Sequence, residues 1–350
     1  MAGGMPITRS TIAAATLLVA SAASAEPMRI GIAAPLSGTS ERLGHQLVAG
    51  ARIAAGDAEL TIADDRCEAA GGAEAARRFV ESEVLAVVGF LCTEAIEAAL
   101  PILSKAGIPT ITPGVRTDSL TDRRDRTGWL VWRLAPRADS ETQAVSTLLV
   151  RAWRDVPFAI VDDGTIYGRE LAEGFRASAE LAGLEPVFVD TFRPQMDNQI
   201  GLVARLRRSG ATHVFVGGDR DDVAIMTRDA RGLGASITFA GGEALRSASN
   251  GVALSDGTLM IGLPEWADIA VPEALAALSA AGVRPEGYVL PAYAAMQVAL
   301  SAATQTPPRV PDRLDTAIGP VAFDAKGDLA TNPYGVFRVA DGAFRAVEDE

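Results

Sequence analysis

Short apolar runs and amphipathic segments alternate along the first part of this chain. Residues 28–35 (MRIGIAAP), 58–65 (AELTIADD) and 84–90 are apolar runs of strand length. The segments ERLGHQLVAGARIAAG and GAEAARRFVESE lie between them, and the run TEAIEAALPILSKA follows, each with the spacing of a helix. This order of strand and helix patterns predicts a mostly parallel sheet with helices on both faces.

The alternation starts again near residue 139. DSETQAVSTLLVRAW opens with Asp139 and Ser140, two residue types that cap helices. The runs PFAIVDDG, YGRELAEGFRASAELAG, PVFVDTF, NQIGLVARLRRSG, THVFVGG, DRDDVAIMTRDARGLG and SITFAGGE then repeat the pattern. We therefore expect an α/β protein with two halves of similar size, not one long sheet.

The last part of the chain has a different pattern. PEALAALSAAG and YVLPAYAAMQVALSAATQ predict helices that are rich in small residues. IGPVAFDAKGDLATNPYGVFRVADGAF predicts strands, with turns at Lys326-Gly327 and Asn332-Pro333. No internal repeat or low-complexity linker separates this region from the rest, so we expect short ordered connections between the halves.

The amino-terminal segment MAGGMPITRSTIAAATLLVASAASAEP has the pattern of a secretory signal. Arg9 precedes a short apolar run, which ends in the small residues Ala23, Ser24 and Ala25. A membrane anchor is the alternative, but the run over residues 11–20 is shorter than the roughly 20 apolar residues that span a bilayer. We expect residues 1–25 to be removed and the mature protein to be exported to the periplasm.

The net charge and the cysteine content limit the partners and the metal sites that this chain could have. The formal net charge of −12 disfavours binding to nucleic acid or to anionic membranes, because like charges repel. Cys67 and Cys92 are the only cysteines, and in an exported chain they favour a disulfide over two free thiols. A zinc site is disfavoured because only His45 and His213 could add to two distant cysteines.

Polar residues follow several predicted strands, where ligands bind in open α/β sheets. Thr93 stands at a predicted helix N-cap, so it either caps its own helix or helps the free N–H groups to hold an anion. Glu243 follows two glycines and is either a ligand for an ammonium group or a surface loop residue. Tyr167 either lines a pocket or packs on its own half. Position alone leaves these alternatives open.

Motifs of the common enzyme classes are missing from the sequence. There is no G-x-G-x-x-G after the first strand, no P-loop and no G-x-S-x-G. His45 and His213 have no obvious Cys or Ser partner. Asp219, Asp221 and Asp222 suggest either a metal site or favourable negative charge at a helix N-terminus, and we favour the second. We therefore expect no enzyme activity, no cofactor and no metal.

Several segments, in order, resemble the periplasmic leucine/isoleucine/valine-binding proteins, which are the solute receptors of branched-chain amino acid ABC importers. They are GIAAPLSG, DDRCEAAGGAEAARRFV, VVGFLCTEA, GIPTITPGVRTDSLT, IVDDGTIYGREL, VFVGG, FAGGE, YAAMQVAL and IGPVAFDAKGDL. The resemblance implies a two-lobed type I periplasmic binding protein fold with three hinge crossings. It implies an amino-terminal lobe of residues 26–138 and 265–333, and a second lobe of 139–264 and 334–350.

The resemblance also implies roles for individual residues. Thr93 stands where the family has a serine that binds the ligand α-carboxylate, and Gly114 where a backbone carbonyl accepts the α-ammonium. Tyr167 stands where the family has a cleft tyrosine, and Glu243 where a carboxylate pairs with the ammonium. A disulfide between Cys67 and Cys92 beneath the cleft is implied as well.

Three positions depart from the family pattern. Arg116 replaces a second hydroxyl, and it either binds the carboxylate bidentately or points away from the cleft. Leu43 replaces an aromatic residue and keeps an apolar wall. Asp219 replaces a tyrosine and adds a charge that a purely aliphatic ligand would not need. The ligand expected from these changes is a polar amino acid, an amide or another small acid.

The predicted function is capture of an amino acid or similar small acid between two closing lobes. The resemblance implies delivery to an inner-membrane ABC permease, and we expect a monomer. A soluble periplasmic sensor, with an amide or aromatic acid as its ligand, is the first alternative. An enzyme on a doubly wound fold is the second, but it would need a nucleophile–base pair or a cofactor loop.

Overall fold

The computed structural model of the protein describes residue 1 and residues 27–347. Apart from Met1, the predicted signal segment over residues 1–25 lies outside the described residues. Within the described part of the chain, no helix is long and apolar enough to cross a membrane.

The first sheet contains five parallel strands from the amino-terminal part of the chain. The strands are β1 (Arg29–Ala34), β2 (Glu59–Asp64), β3 (Ala86–Gly89), β4 (Thr110–Thr112) and β5 (Val131–Arg133), in the order β2-β1-β3-β4-β5. Three helices connect the first four strands: α1 (Glu41–Ala55), α2 (Ala69–Glu81) and α3 (Thr93–Lys105). All residues of β3 are buried, as expected for a central strand covered on both faces. This confirms the predicted β-α-β order.

The second sheet contains five parallel strands and two antiparallel ones. The parallel strands are β6 (Phe158–Asp162), β7 (Phe188–Thr191), β8 (His213–Gly217), β9 (Thr238–Gly241) and β10 (Leu259–Gly262). Its helices are α6 (Ser140–Ala152), α7 (Ile166–Leu181), α8 (Ile200–Arg208) and α9 (Arg220–Gly232). At one edge, β13 (Gly335–Ala340) pairs antiparallel with β10, and β14 (Ala343–Ala346) pairs antiparallel with β13. The strand order is β14-β13-β10-β9-β8-β6-β7.

The remaining elements lie between or after these two sets. They are α4 (Ser119–Asp122), α5 (Arg124–Thr127), the 3₁₀ turn Glu243–Arg246, α10 (Trp266–Ile269), α11 (Pro272–Ala280), α12 (Val289–Ala303) and the hairpin β11 (Arg313–Thr316) with β12 (Gly319–Ala322). Helix α12 packs on α1 and on strands β3 and β4 of the first sheet. The chain therefore passes between the two lobes after β5, after β10 and before β13.

Each sheet has its own hydrophobic core on both faces. In the first lobe, Ile30 and Ile32 of β1 pack with α12, while Phe79 of α2 packs with α3 on the opposite face. In the second lobe, Phe175 lies at 5.6 Å from Phe215, measured between ring centroids. Separate cores allow the two lobes to move as units about their connections.

The structure refines the sequence-based elements at three places. Strands β5 and β10, which the sequence analysis did not identify, are short runs of three and four residues. The N-cap of helix α3 is Cys92, one residue before the predicted N-cap Thr93. Thr93 is therefore the first helical residue, and its hydroxyl does not cap the helix.

Candidate functional site

The first-sheet side of the candidate site begins at Thr93, at the start of α3. Its hydroxyl forms a hydrogen bond of 2.7 Å with the hydroxyl of Thr117. The carbonyl of Thr117 in turn accepts a hydrogen bond from Arg133 Nη1 at 2.8 Å. A pair of hydroxyls uses only one of its two protons internally, so the other remains available to donate to an anion.

A disulfide fixes the position of α3 relative to β2. Cys67 and Cys92 are joined, with a distance of 5.1 Å between their Cα atoms. Cys92 is the N-cap of α3, so the bridge ties the residue before Thr93 to the loop after β2. The predicted pairing of the two cysteines is confirmed.

Gly114 lies where the backbone approaches two neighbouring side chains closely. A Cβ atom at this position would lie 2.4 Å from Leu91 Cδ2 and 3.1 Å from Tyr288 Cε1. The absence of a side chain therefore allows Tyr288 to sit against the loop after β4. Tyr288 is the N-cap residue of α12, and the sequence analysis did not select it.

Arg116 points toward the second lobe. Its Nη2 donates to the hydroxyl of Tyr334 at 2.7 Å and to the carbonyl of Arg137 at 3.4 Å. Tyr334 packs in the core of the second lobe, next to the start of β13. The Nε atom of Arg116 is buried and has no hydrogen-bond partner, and no carboxylate of the described residues forms an ion pair with this guanidinium.

Tyr334 is buried next to this cation. Burial raises the pKa of the Tyr334 hydroxyl to about 12, although the positive charge of Arg116 opposes that rise. The neutral hydroxyl accepts a hydrogen bond from Arg116 but carries no charge that could neutralise the guanidinium. Within residues 27–347, Arg116 is therefore a cation without a counter-charge at the boundary between the lobes.

On the second-sheet side, Tyr167 and Glu141 form a buried pair. The Tyr167 hydroxyl donates to Glu141 Oε1 at 2.7 Å, and the backbone N–H of Glu243 donates to the same oxygen at 2.7 Å. The Tyr167 oxygen also accepts the backbone N–H of Ala244 at 3.3 Å. Burial and then the Glu141 charge raise the pKa of Tyr167 above its usual range, so its hydroxyl stays protonated.

Gly242 makes this arrangement possible. A Cβ atom at Gly242 would lie 2.4 Å from Glu141 Oε1 and 2.5 Å from the Tyr167 oxygen. Because glycine has no Cβ, both polar atoms reach the backbone that follows β9. The absence of a side chain at Gly242 thus leaves room for the Glu141 carboxylate beside the backbone of Glu243.

Glu243 is already paired within its own lobe. Its Oε1 accepts Arg246 Nε at 2.8 Å, and its Oε2 accepts the backbone N–H of Leu263 at 2.6 Å. Arg246 also donates to the Leu263 carbonyl at 2.5 Å and to Glu265 Oε1 at 2.5 Å. Burial raises the pKa of the Glu243 carboxyl, although Arg246 opposes the rise.

Two other predicted residues form no hydrogen bond or ion pair with this cluster in the part of the chain that the structure describes. Leu43 lies on α1 with 40% of its surface exposed. Asp219 is the N-cap of α9 and lines a separate cavity of about 380 Å³. Asp221 and Asp222 line the same cavity, and burial raises the pKa of Asp222.

Glu141 therefore joins Tyr167 to the backbone of Glu243, and the charges of Arg116, Glu141 and Glu243 all act on Tyr334. Thr93 and Gly114 follow strands of the first sheet. The sequence analysis missed four residues of this cluster: Thr117, Glu141, Tyr288 and Tyr334. Glu141 stands in the first turn of α6, where acidic residues are common because of the helix dipole, so it gave no distinct signal. Tyr334 follows a predicted turn, which marks a loop and not a ligand.

Comparison with known proteins shows likeness over nearly the whole chain. A family model described as periplasmic binding protein matches residues 27–343. A Leu/Ile/Val-binding protein homolog from Brucella melitensis is 28% identical over 361 residues, which cover 96% of this chain and 97% of the relative.

Solved structures show the same fold at lower sequence identity. A provisionally assigned branched-chain amino acid ABC transporter from Rhodospirillum rubrum aligns with a TM-score of 0.74 and 19% identity, covering 92% of this chain and 100% of that one. A solute-binding protein of an ABC transporter from Rhodopseudomonas palustris, in complex with 3,4-dihydroxy benzoic acid, has a TM-score of 0.57 and 15% identity. That alignment covers 92% of this chain and 96% of the other.

Proposed function

Because this chain belongs to the periplasmic binding protein family, we propose that it captures an amino acid or related small carboxylic acid between its lobes and delivers it to an ABC permease. The chain is a binding protein and not an enzyme. The observation that carries the choice of ligand class is Arg116, a guanidinium with a buried Nε and no ion-pair partner among the described residues. A ligand carboxylate would supply the missing counter-charge.

Arg116 would hold the acid group of the ligand from the first lobe. A guanidinium presents its donors in a fixed fork that matches the two oxygens of a carboxylate. The paired hydroxyls of Thr93 and Thr117 would donate the remaining hydrogen bond, and the carbonyl of Gly114 would face the amine. These roles extend to Thr117 what the resemblance implies for Thr93, and they follow from the hydrogen bond between the two hydroxyls.

Tyr167 and the acidic groups beside it would contact the ligand from the second lobe. A ligand that touches both lobes binds the closed state more tightly than the open one, so it shifts the population toward closure. Lobe boundaries at residues 138/139, 264/265 and 333/334 would place the hinges beside Arg137, Glu265 and Tyr334, which border the site. Closure about these hinges would bury the ligand.

We further propose that the protein works in the periplasm as a monomer, after export through residues 1–25. The family description supports this location. Leu43 and Asp219 would contribute only if closure brought them toward the cleft, since neither contacts the cluster around Arg116.

An aromatic acid is the second candidate ligand, bound for transport or for sensing. The rings of Tyr288 and Tyr334 lie next to Arg116 and Gly114, where they could stack on an aromatic acid. The relative from Rhodopseudomonas palustris holds such an acid in the same fold. An aromatic acid would use Arg116 in the same way but would not need an acceptor for an amine.

A thermal-shift screen of the refolded, ligand-stripped protein tests the proposal. We expect amino acids or aromatic acids to raise the stability by about 2.7 kcal/mol at a hundredfold excess over Kd, and simple amides to have less effect. Arg116→Gln should weaken the best ligand by roughly thirtyfold or more, because a buried charged pair is lost. Arg52→Gln, which changes an exposed arginine of α1, is the matched control.

Two results would refute this proposal. The first is a screen in which no carboxylic acid stabilises the wild-type protein. The second is an Arg116→Gln variant that binds its ligand as tightly as the Arg52→Gln control.

A further inference from the structure

We propose that Glu141, and not Glu243, receives the cationic group of the ligand, so that the cleft is built for a zwitterionic amino acid. Glu243 then acts as a brace between the end of β9 and the end of β10. This inference rests on the proposed function of the cleft and names two roles that the resemblance does not assign.

The charge of Glu243 is already compensated within its own lobe. Both of its carboxylate oxygens accept a hydrogen bond, one from Arg246 and one from the backbone of Leu263. Arg246 neutralises its charge at 2.8 Å. A ligand ammonium at Glu243 would add a second positive charge beside this guanidinium, and the two cations would repel each other.

Arg246 is itself held firmly in place. Besides Glu243 it contacts the Leu263 carbonyl and Glu265, and its guanidinium lies 5.6 Å from the ring centre of Phe337 and 5.9 Å from that of Phe344. Moving Arg246 away from Glu243 would disturb several of these contacts at once. The pair therefore serves to connect the 3₁₀ turn after β9 with the residues after β10.

Glu141 differs from Glu243 because, among the described residues, only one of its carboxylate oxygens is hydrogen-bonded. Only 8% of its surface is exposed, and its Oε1 accepts hydrogen bonds from Tyr167 and from the Glu243 backbone. Its Oε2 has no hydrogen-bond partner within residues 27–347, and no cation of that part of the chain forms an ion pair with it. A buried carboxylate without a counter-charge is unfavourable, so a ligand cation at this oxygen would be stabilised strongly.

Arg116 and Glu141 are both close enough to Tyr334 for their charges to act on it. Arg116 donates to the Tyr334 hydroxyl, and the charges of Arg116 and Glu141 both act on this tyrosine in opposite directions. The site thus contains one uncompensated positive group from the first lobe and one uncompensated negative group from the second. A ligand with a carboxylate and a protonated amine would neutralise both, whereas a simple acid would neutralise only Arg116.

Calorimetry with two matched ligand pairs tests this assignment. The probes are L-leucine with 4-methylpentanoate, and L-phenylalanine with 3-phenylpropanoate, where each second compound lacks only the amine. For the pair that binds, we expect the wild-type protein to prefer the amino acid. Glu141→Gln should weaken the amino acid by roughly thirtyfold or more and change the affinity for the deaminated acid by less than about threefold.

The variants include controls for folding and for charge. Gln at position 141 keeps an oxygen that can accept from Tyr167, and binding of the deaminated acid shows that the variant is folded. Glu141→Asp keeps the charge on a shorter side chain and should recover part of the preference for the amino acid. Glu170→Gln, an exposed position of α7, is the matched substitution outside the cleft.

The outcomes separate this inference from the function on which it rests. If Glu243→Gln removes the preference for the amino acid while Glu141→Gln keeps it, the assignment is overturned and capture of an amino acid stands. If the wild-type protein binds only deaminated acids, the zwitterion is refuted and capture of an acid stands. If none of the four probes binds and the wider screen finds no acid, both proposals fail.

Discussion

At the scale of single residues, carboxylates of this protein differ in how their charge is compensated. Among the described residues, Glu243 is paired with Arg246, whereas Asp65 forms no ion pair. Asp65 is fully buried behind β2, its Oδ1 accepts the backbone N–H of Cys67 at 2.9 Å, and its Oδ2 has no partner. Burial raises the pKa of Asp65 to about 6, and the charge of Asp64 adds to this rise.

Asp65 should make stability depend on pH. The folded protein keeps the Asp65 proton up to about pH 6, whereas the unfolded chain loses it near the ordinary value of 3.8. The unfolded state therefore binds fewer protons between these values, and the free energy of unfolding falls as pH rises through this window. The fall is about 3 kcal/mol for this one group and is complete above pH 6.

Asp65→Asn is expected to remove this part of the pH dependence. Urea titration at pH 4 to pH 7 measures the unfolding free energy of this variant and of the wild type. Over this window, the value for Asp65→Asn should fall by about 3 kcal/mol less than the value for the wild type. Asp57→Asn changes an exposed aspartate after α1 and should leave the slope unaltered. Equal slopes in Asp65→Asn and the wild type would show that Asp65 is ionised in the folded protein.

At the scale of elements, most of the fold follows from the hydrophobic pattern, and the details of the site do not. Buried parallel strands are continuous apolar runs, so β3, β6 and β8 are visible in the sequence. Strand β5 (VWR) ends in an arginine and so does not form an apolar run. Strand β10 (LMIG) is a buried apolar run as long as β3, so its pattern could have marked it although the sequence analysis did not select it.

The residues of the site were predictable only where the family pattern or a strand end marked them. Thr93, Arg116 and Glu243 each follow a strand, and of these Arg116 forms a hydrogen bond across the lobe boundary, to Tyr334. Glu141 and Tyr334 belong to the site through contacts between distant parts of the chain, which no local pattern records. The pairing of Glu243 with Arg246, three positions later, also depends on how the 3₁₀ turn folds.

The disulfide is the element-scale feature with the clearest energetic consequence. It closes a segment of 25 residues between the loop after β2 and the start of α3. Replacing Cys67 and Cys92 by serine should lower the free energy of unfolding by about 3 kcal/mol, because the unfolded chain gains conformational freedom. A reducing agent should cause a similar loss in the wild-type protein and none in the double variant, as measured by chemical denaturation. A loss below about 1 kcal/mol in both experiments would contradict this prediction.

At the scale of the whole molecule, buried charges hold the connections between the lobes in place. Asp328 is 2% exposed and precedes the last crossing, while Arg133 is fully buried at the end of β5, before the first crossing. Arg133 Nε donates to Asp328 Oδ1 at 2.8 Å. Thr121 and Arg137 donate to Asp328 Oδ2 at 2.8 Å and 2.9 Å. One carboxylate therefore joins the segments that precede two of the crossings.

Asp328→Asn should destabilise the protein more than any loss of a surface ion pair. The substitution leaves the buried Arg133 without a negative partner, and breaking a buried pair on one side costs about 3–5 kcal/mol. Glu83→Gln removes the partner of Arg29 in a pair whose glutamate side chain is 74% exposed, so it should cost less than about 1 kcal/mol. Urea unfolding of the two variants beside the wild type measures both values. If Asp328→Asn lost no more stability than Glu83→Gln, the buried pair could not be what fixes the two crossings, and the hinges would have to depend on backbone packing alone.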